Sequence, residues 1–153
     1  MHSAFADDLQ DAASLVKRGQ MAQALDIVNK ALAGNPKDPL GRFLKAVILA
    51  DQNKSAEAID LFSRLNQENP DWPEPLNNLA VIYAAQGNFE KARQSLEASI
   101  RTHPSYATAY RNLQLVYSTL ATQAYNQALQ IDRNAGATAN LVLVREMTSR
   151  NVP

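Results

Sequence analysis

Apolar residues recur at three- and four-residue steps along most of the chain, in stretches that end at glycine, asparagine or proline. The clearest example is segment 73–104, in which two such stretches are separated by Gly87 and stopped by Pro104. Their apolar residues are Leu76, Leu79, Ala80 and Tyr83, followed by Phe89, Ala92, Leu96 and Ile100. This spacing predicts two amphipathic helices joined by a tight turn.

The same pattern occurs three times at intervals of 34 residues. Counting back from Ala80, Tyr83, Ala92, Leu96 and Pro104 gives Ala46, Leu49, Ala58, Phe62 and Pro70, and then Ala12, Leu15, Ala24, Val28 and Pro36. Gly19 and Asn53 stand where the third copy has Gly87. Glycine, and after it asparagine, most readily adopts the left-handed conformation that ends a helix. Three matched registers predict a stack of helical hairpins.

The pattern resembles the tetratricopeptide repeat, which has a small and an aromatic residue on each helix, glycine at the turn and proline at the end. Ala80, Tyr83, Gly87, Ala92, Leu96 and Pro104 take these places in the third copy. The resemblance covers residues 5 to 131 and is closest to small bacterial single-domain members of the family. It implies an all-α fold, a right-handed α-solenoid of about three hairpins with a long continuous helix and a C-terminal capping helix.

The repeats divide the chain into predicted units. Residues 1–6 form a disordered leader, 7–150 a single domain, 5–38, 39–72 and 73–106 the three repeats, 107–133 a degenerate fourth repeat and 138–150 a C-terminal helix. Ala4, Phe5 and Ala6 have the small residues that a signal peptidase reads. We therefore expect a periplasmic or otherwise exported protein, with a native cytoplasmic start as the alternative.

The fourth repeat has lost its turn. Its second-helix signature, Ala121, Tyr125 and Ala128, follows Ala92, Leu96 and Ser99 by 29 residues instead of 34. Since no glycine or proline lies between residues 107 and 131, we predict one continuous helix of about 25 residues. Its apolar stripe consists of Tyr110, Leu113, Tyr117, Leu120 and Ala124. Two occupants remain open for this stripe, the C-terminal segment as a cap or a second copy in a homodimer.

Composition and charge exclude several classes of function. Fifteen basic residues balance fifteen acidic ones, so we expect no nucleic-acid partner. The chain has no cysteine, which excludes disulfides and thiolate chemistry, and no apolar run long enough for membrane insertion. His2 and His103 have no nucleophile or paired carboxylate at a useful spacing. We therefore predict no enzyme activity, no catalytic residues, no metal site and no cofactor.

The resemblance implies a binding groove, because the first helix of each hairpin lines the concave face of such a solenoid. The predicted groove residues are Leu9, Leu40, Phe43, Val47, Asn77, Asn78, Val81, Arg111, Asn112 and Leu115. They predict a groove that is apolar at its N-terminal end and polar at the other, suited to a peptide or helix of another protein. The implied role is a protein-interaction scaffold, with envelope assembly as one such role. Alternatively, these rows only pack repeat against repeat.

The family's co-chaperone clamp for a C-terminal carboxylate is not expected here. That clamp needs charged or amide groups where this chain has Phe43, Val47 and Thr108. Only Asn78 fits the clamp, and Asn112 stands where a basic residue belongs.

Overall fold

The computed structural model describes residues 2–131, and the side chains of residues 7–130. The helices in this part are α1 (His2–Lys17), α2 (Met21–Gly34), α3 (Pro39–Asp51), α4 (Ser55–Glu68), α5 (Pro73–Ala85), α6 (Phe89–Thr102) and α7 (Ala107–Ile131). Helices α2, α4 and α6 begin at residues 21, 55 and 89, and α3, α5 and α7 begin at 39, 73 and 107, so equivalent helices start 34 residues apart. The all-α repeat fold predicted from the sequence is confirmed.

The first helix begins earlier than predicted. Helix α1 starts at His2, so residues 2–6 are helical and not a disordered leader. Ala4 and Ala6 favour this extension, because alanine has the highest helix propensity. Whether these residues belong to an export signal stays a prediction. The predicted helix at 138–150 lies outside the described residues.

The turns within the three hairpins have the predicted left-handed residues. Gly19 has φ +74°, Gly87 has φ +76° and Asn53 has φ 60°. In the third turn the backbone N–H of Asn88 donates to the carbonyl oxygen of Tyr83 at 2.9 Å, which satisfies a carbonyl at the end of α5. The glycine positions and their asparagine substitute therefore end the first helix of each pair in the same way.

Three buried clusters hold the hairpins together, one after another along the chain. A fully buried alanine lies in the second helix of each hairpin, at Ala24, Ala58 and Ala92, where the lack of a larger side chain lets the paired helices approach closely. The middle cluster consists of Ala46, Leu49, Ala58, Phe62, Leu65, Leu79 and Ile82. Because it draws residues from α3, α4 and α5, it joins the second hairpin to the third.

The chain divides into two compact units, Met1–Leu120 and Ala121–Pro153, where the sequence predicted one domain over 7–150. The first unit holds α1 to α6 and the start of α7. In the second unit, the described residues are the remaining turns of α7, whose side chains at 121–130 are all exposed. Helix α7 itself runs from Ala107 to Ile131, the continuous helix that the missing turn predicted. No described helix is both long and apolar enough to cross a membrane.

Candidate functional site

The first helices of the hairpins lie side by side in the first unit. Helix α1 packs on α3 and α3 packs on α5, whereas α2, α4 and α6 make no such contacts with one another among the described helices. Residues 107–120 of α7 continue the row, since Ala109, Leu113 and Val116 join the buried cluster of α5 and α6. We call the surface formed by α1, α3, α5 and residues 107–120 the odd-helix face. It carries all ten predicted groove residues.

The N-terminal part of the odd-helix face contributes less surface than predicted. Leu9 is only 3% exposed and belongs to the first buried cluster, so the prediction that it lines the groove is wrong. Leu40, Phe43 and Val47 are half-buried. The Phe43 ring lies 4.9 Å from the ring of Trp72, so much of this row packs repeat against repeat.

A chain of asparagine side chains crosses from α7 to α5. Asn112 donates its Nδ2 to Oδ1 of Asn77 at 2.8 Å, and Asn77 donates its Nδ2 to Oδ1 of Asn78 at 3.2 Å. Asn77 is only 4% exposed, so it supports the surface instead of lining it, and its predicted groove position is corrected. The hydrogen bonds among the described residues use neither Nδ2 of Asn78 nor Oδ1 of Asn112. One amide donor and one amide acceptor therefore face a ligand in a fixed arrangement.

An apolar pocket of about 210 Å³ lies beside the asparagine chain. Ala80, Ala84, Leu96, Asn112 and Val116 line it together with Val81 and Leu115. The last two are 51% and 68% exposed, which is unusual for large apolar side chains outside a binding surface. The accessible apolar surface thus lies between α5 and α7 and not at the N-terminal end, which corrects the predicted gradient.

Charged and polar groups gather at the start of α7. Arg111 is exposed and donates from Nη2 to Oγ1 of Thr108 at 3.2 Å. Burial raises the pKa of Tyr106, and the Glu74 carboxylate raises it further. Oε2 of Glu74 is buried without a hydrogen-bond partner in the described part of the chain. This end of the odd-helix face therefore offers one exposed cation and one unpaired carboxylate oxygen.

The predicted cap or dimer stripe on α7 divides into buried and exposed residues. Leu113 packs into the cluster of α5 and α6, so it is not open to a cap or a second copy, and its assignment is corrected. Leu120 is half-buried against the same cluster. Tyr110 and Tyr117 are about half exposed, and Ala124 is exposed in the second unit. Only part of the stripe is thus available to a partner.

Tyr117 is held in place by α6. Its hydroxyl donates to Oε1 of Glu97 at 2.7 Å, and Arg93 donates from Nη1 to the same carboxylate at 2.8 Å. The bond from Tyr117, with help from Arg93, lowers the pKa of Glu97, and the same bond raises the pKa of Tyr117. These contacts fix the start of α7 against α6, although an exposed ion pair contributes little to stability.

The sequence analysis did not identify Glu74, Tyr106 or the small residues Ala80 and Ala84 as part of this surface. Glu74 has the same 34-residue register as Leu40, which could have indicated its place on the odd-helix face. The alanines could not be recognised in this way, because the same residue type fills the buried clusters. Within the described residues, no three or more His, Asp or Glu side chains form a group that could hold a metal ion.

The tetratricopeptide repeat family matches this chain over residues 15–77 and 49–115, which together span most of the odd-helix face. The chain belongs to the tetratricopeptide repeat family. A comparison with curated protein sequences found no match.

Solved structures of other tetratricopeptide repeat proteins are similar to this chain. A thermophilic protein of Thermus thermophilus has a TM-score of 0.71 at 23% identity, over 85% of this chain and 75% of its own. YrrB, described as having an unusual peptide-binding site, has a TM-score of 0.61 at 28% identity, over 68% of this chain and 54% of its own. The first repeat domain of Spaghetti, bound to an HSP90 peptide, has a TM-score of 0.65 at 18% identity, over 76% of this chain and 93% of its own. These structures confirm the helical repeat fold.

Proposed function

We propose that this tetratricopeptide repeat protein acts without catalysis, by binding a peptide or helix of another protein on its odd-helix face. The pocket between α5 and α7 takes an apolar side chain of the ligand, and the amides of Asn78 and Asn112 hydrogen-bond to the ligand backbone. One observation carries the proposal: Val81 and Leu115 are both more than half exposed beside an apolar pocket of about 210 Å³.

The chemistry of the surface supports an extended or helical peptide. A small apolar pocket next to a few fixed polar groups is the usual form of a ligand site. Burying Leu115 and Val81 removes apolar surface from water at about 25 cal/mol per Å², and the preset asparagine chain lowers the entropy lost on binding. The two peptide-binding relatives support the same general activity. An exported location and a role in envelope assembly stay proposals from the sequence.

Replacing Leu115 by glutamate should weaken peptide binding at least about tenfold, because a charge in the pocket mouth must lose its water when an apolar side chain enters. The probes are peptides selected on the wild-type protein from a random library displayed on phage, and their dissociation constants are measured by fluorescence anisotropy.

The matched control is Gln114→Glu, which adds the same charge at an exposed neighbour outside the pocket. It should bind the selected peptides within about twofold of wild type, a change well under the 1.4 kcal/mol of a tenfold effect. The proposal fails if no peptide is enriched, or if both variants bind equally well.

A second candidate function is self-association through α7. The residues Ala121, Tyr125 and Ala128 match Ala92, Leu96 and Ser99, which are buried in α6. In α7 the three matching residues are exposed, Tyr125 by 59%. A second-helix signature without a first helix to pack on can be satisfied by a second copy, which is how domain swapping arises.

If this second function holds, the full chain should form a dimer whose mass by light scattering does not fall on dilution through the micromolar range. Tyr125→Arg should yield monomers, because it places a charge where a buried apolar residue is required. Gln123→Arg, an exposed control on the same turns of α7, should remain dimeric. A wild-type monomer at all concentrations would exclude exchange and leave the C-terminal segment as the occupant.

A further inference from the structure

A second groove lies on the side of the first unit away from the odd-helix face. Helices α2 and α4 both pack on α3 but make no contact with each other among the described helices. Between them is a cavity of about 810 Å³, lined by all three helices. We call it the α2–α4 groove.

The floor of the α2–α4 groove carries two cations. Arg42, Lys45 and Leu49 of α3 line it at helical spacing. Arg42 is bound to Glu68 through both terminal nitrogens, but its Nε is buried without a partner among the described residues. Lys45 is half-buried, and the structure gives it no ion pair or hydrogen bond in the part of the chain that it describes. A half-buried ammonium without a partner favours an anionic ligand group.

The floor and walls both differ from those of the equivalent groove one repeat later. The floor positions Arg42 and Lys45 correspond to the leucines Leu76 and Leu79. The wall residues here are Leu32, Ala33, Ala56 and Leu61, and their equivalents 34 residues later are Asn66, Gln67, Glu90 and Ser95. The apolar walls and basic floor therefore belong to this groove alone of the two, and the hairpin fold does not require them.

Charges of opposite sign mark the two ends of the groove. Arg42 meets Glu68 at the end of α4, so α4 runs antiparallel to α3. Glu57 and Asp60, both exposed on α4, consequently lie toward the Leu49 end. Asp60 is shared with Arg64 in an ion pair, and Glu57 has no ion pair in the described chain. One end of the groove is basic and the other acidic.

We propose that the α2–α4 groove binds an amphipathic helix of another protein, with acidic residues in its first turn and basic residues in its last. Its apolar stripe packs between Leu32 and Leu61, and its acidic turn faces Lys45. This charge order is also the one that stabilises a helix through its own dipole. The docked helix runs parallel to α3, and the span from Arg42 to Leu49 corresponds to roughly 10 Å of helix axis. This site is independent of the odd-helix face.

Two synthetic peptides of the same composition test the proposal on the full chain. Each is an alanine-based helix of about four turns with leucines at three- and four-residue steps. The first has glutamates in its first turn and lysines in its last, and the second has these charges exchanged. Fluorescence anisotropy should show that wild type binds the first peptide at least about tenfold more tightly than the second.

Variants taken from the next repeat keep the fold while changing the groove. Lys45→Leu, which copies Leu79, should remove the preference between the two peptides. Ala33→Gln with Ala56→Glu, which copies Gln67 and Glu90, should weaken binding of both. Lys91→Leu outside the groove is the matched control for loss of a lysine and should keep the preference.

Three outcomes would overturn the proposal: no binding of either peptide to wild type, equal binding of both, or a preference that survives Lys45→Leu. Displacement of the bound peptide by peptides selected on the odd-helix face would also overturn it, because the two sites would then be one. Circular dichroism of every groove variant should match wild type, since each residue introduced there already occurs at the equivalent position of the next repeat.

Discussion

Replacing Ala92 by arginine is expected to unfold the third hairpin. Ala92 is completely buried where α6 meets α5, and a small residue there lets the two helices approach closely. Overpacking such a position costs about 1 to 3 kcal/mol or more, and an unpaired buried guanidinium adds several kcal/mol. The total stability of a domain is about 5 to 15 kcal/mol. The far-ultraviolet circular dichroism at 25 °C should therefore show a large loss of helix.

The control for this variant is Gln94→Arg, two residues along α6 on its exposed side. It introduces the same side chain into the same helix, so any effect of arginine on helix propensity is shared. Its free energy of unfolding should lie within about 0.5 kcal/mol of wild type, as is usual for surface substitutions. If urea titrations gave the two variants equal stability, the close approach at Ala92 would not be what holds the hairpin together.

The fold could be predicted from the sequence because a repeat states its own register. Each small residue and each turn residue occurs three times, so a chance match at one position does not mislead. Asn53 shows this well, since its left-handed backbone was expected only because Gly19 and Gly87 stand at equivalent positions. The continuous helix α7 followed from the same register, because a shift of five residues in the second-helix signature left no room for a turn.

The candidate site was less predictable, because residues in one register position differ in burial. Leu9, Phe43, Asn77 and Arg111 share a row, yet they are buried, half-buried, buried and exposed in that order. Asn77 is buried because its amide joins Asn112 to Asn78, a contact across two helices that spacing alone does not reveal.

The apolar pocket was missed for a related reason. It exists because Ala80 and Ala84 leave space that larger residues would fill, while Val81 and Leu115 stand at its edge. Whether two small residues produce a close helix contact or an open pocket depends on the distance between helices. That distance is set by all the residues packed between them, so no single segment of the sequence determines it.

Phe62→Ala is expected to cost about 3 to 5 kcal/mol, the usual range for truncating a buried phenylalanine. Phe62 is 1% exposed and lies in the middle cluster, with its ring 5.5 Å from that of Phe43 in an edge-to-face arrangement. Repeat proteins are stabilised by each unit and by its contacts with neighbours. Because the middle cluster joins the second hairpin to the third, its loss should also reduce the cooperativity of unfolding.

Two optical signals separate these effects in one urea titration. Trp72, the sole tryptophan of the chain, stacks on Phe43 beside the middle cluster, so its fluorescence reports that region, while circular dichroism reports all helices. In wild type the two transitions should coincide. In Phe62→Ala the fluorescence transition should move to lower urea than the circular dichroism transition. Phe89→Ala, a half-buried phenylalanine of the third cluster, should keep the Trp72 transition nearer its wild-type midpoint. Coincident transitions in Phe62→Ala, shifted together, would instead show that the hairpins unfold as one unit and that the middle cluster is not their weakest connection.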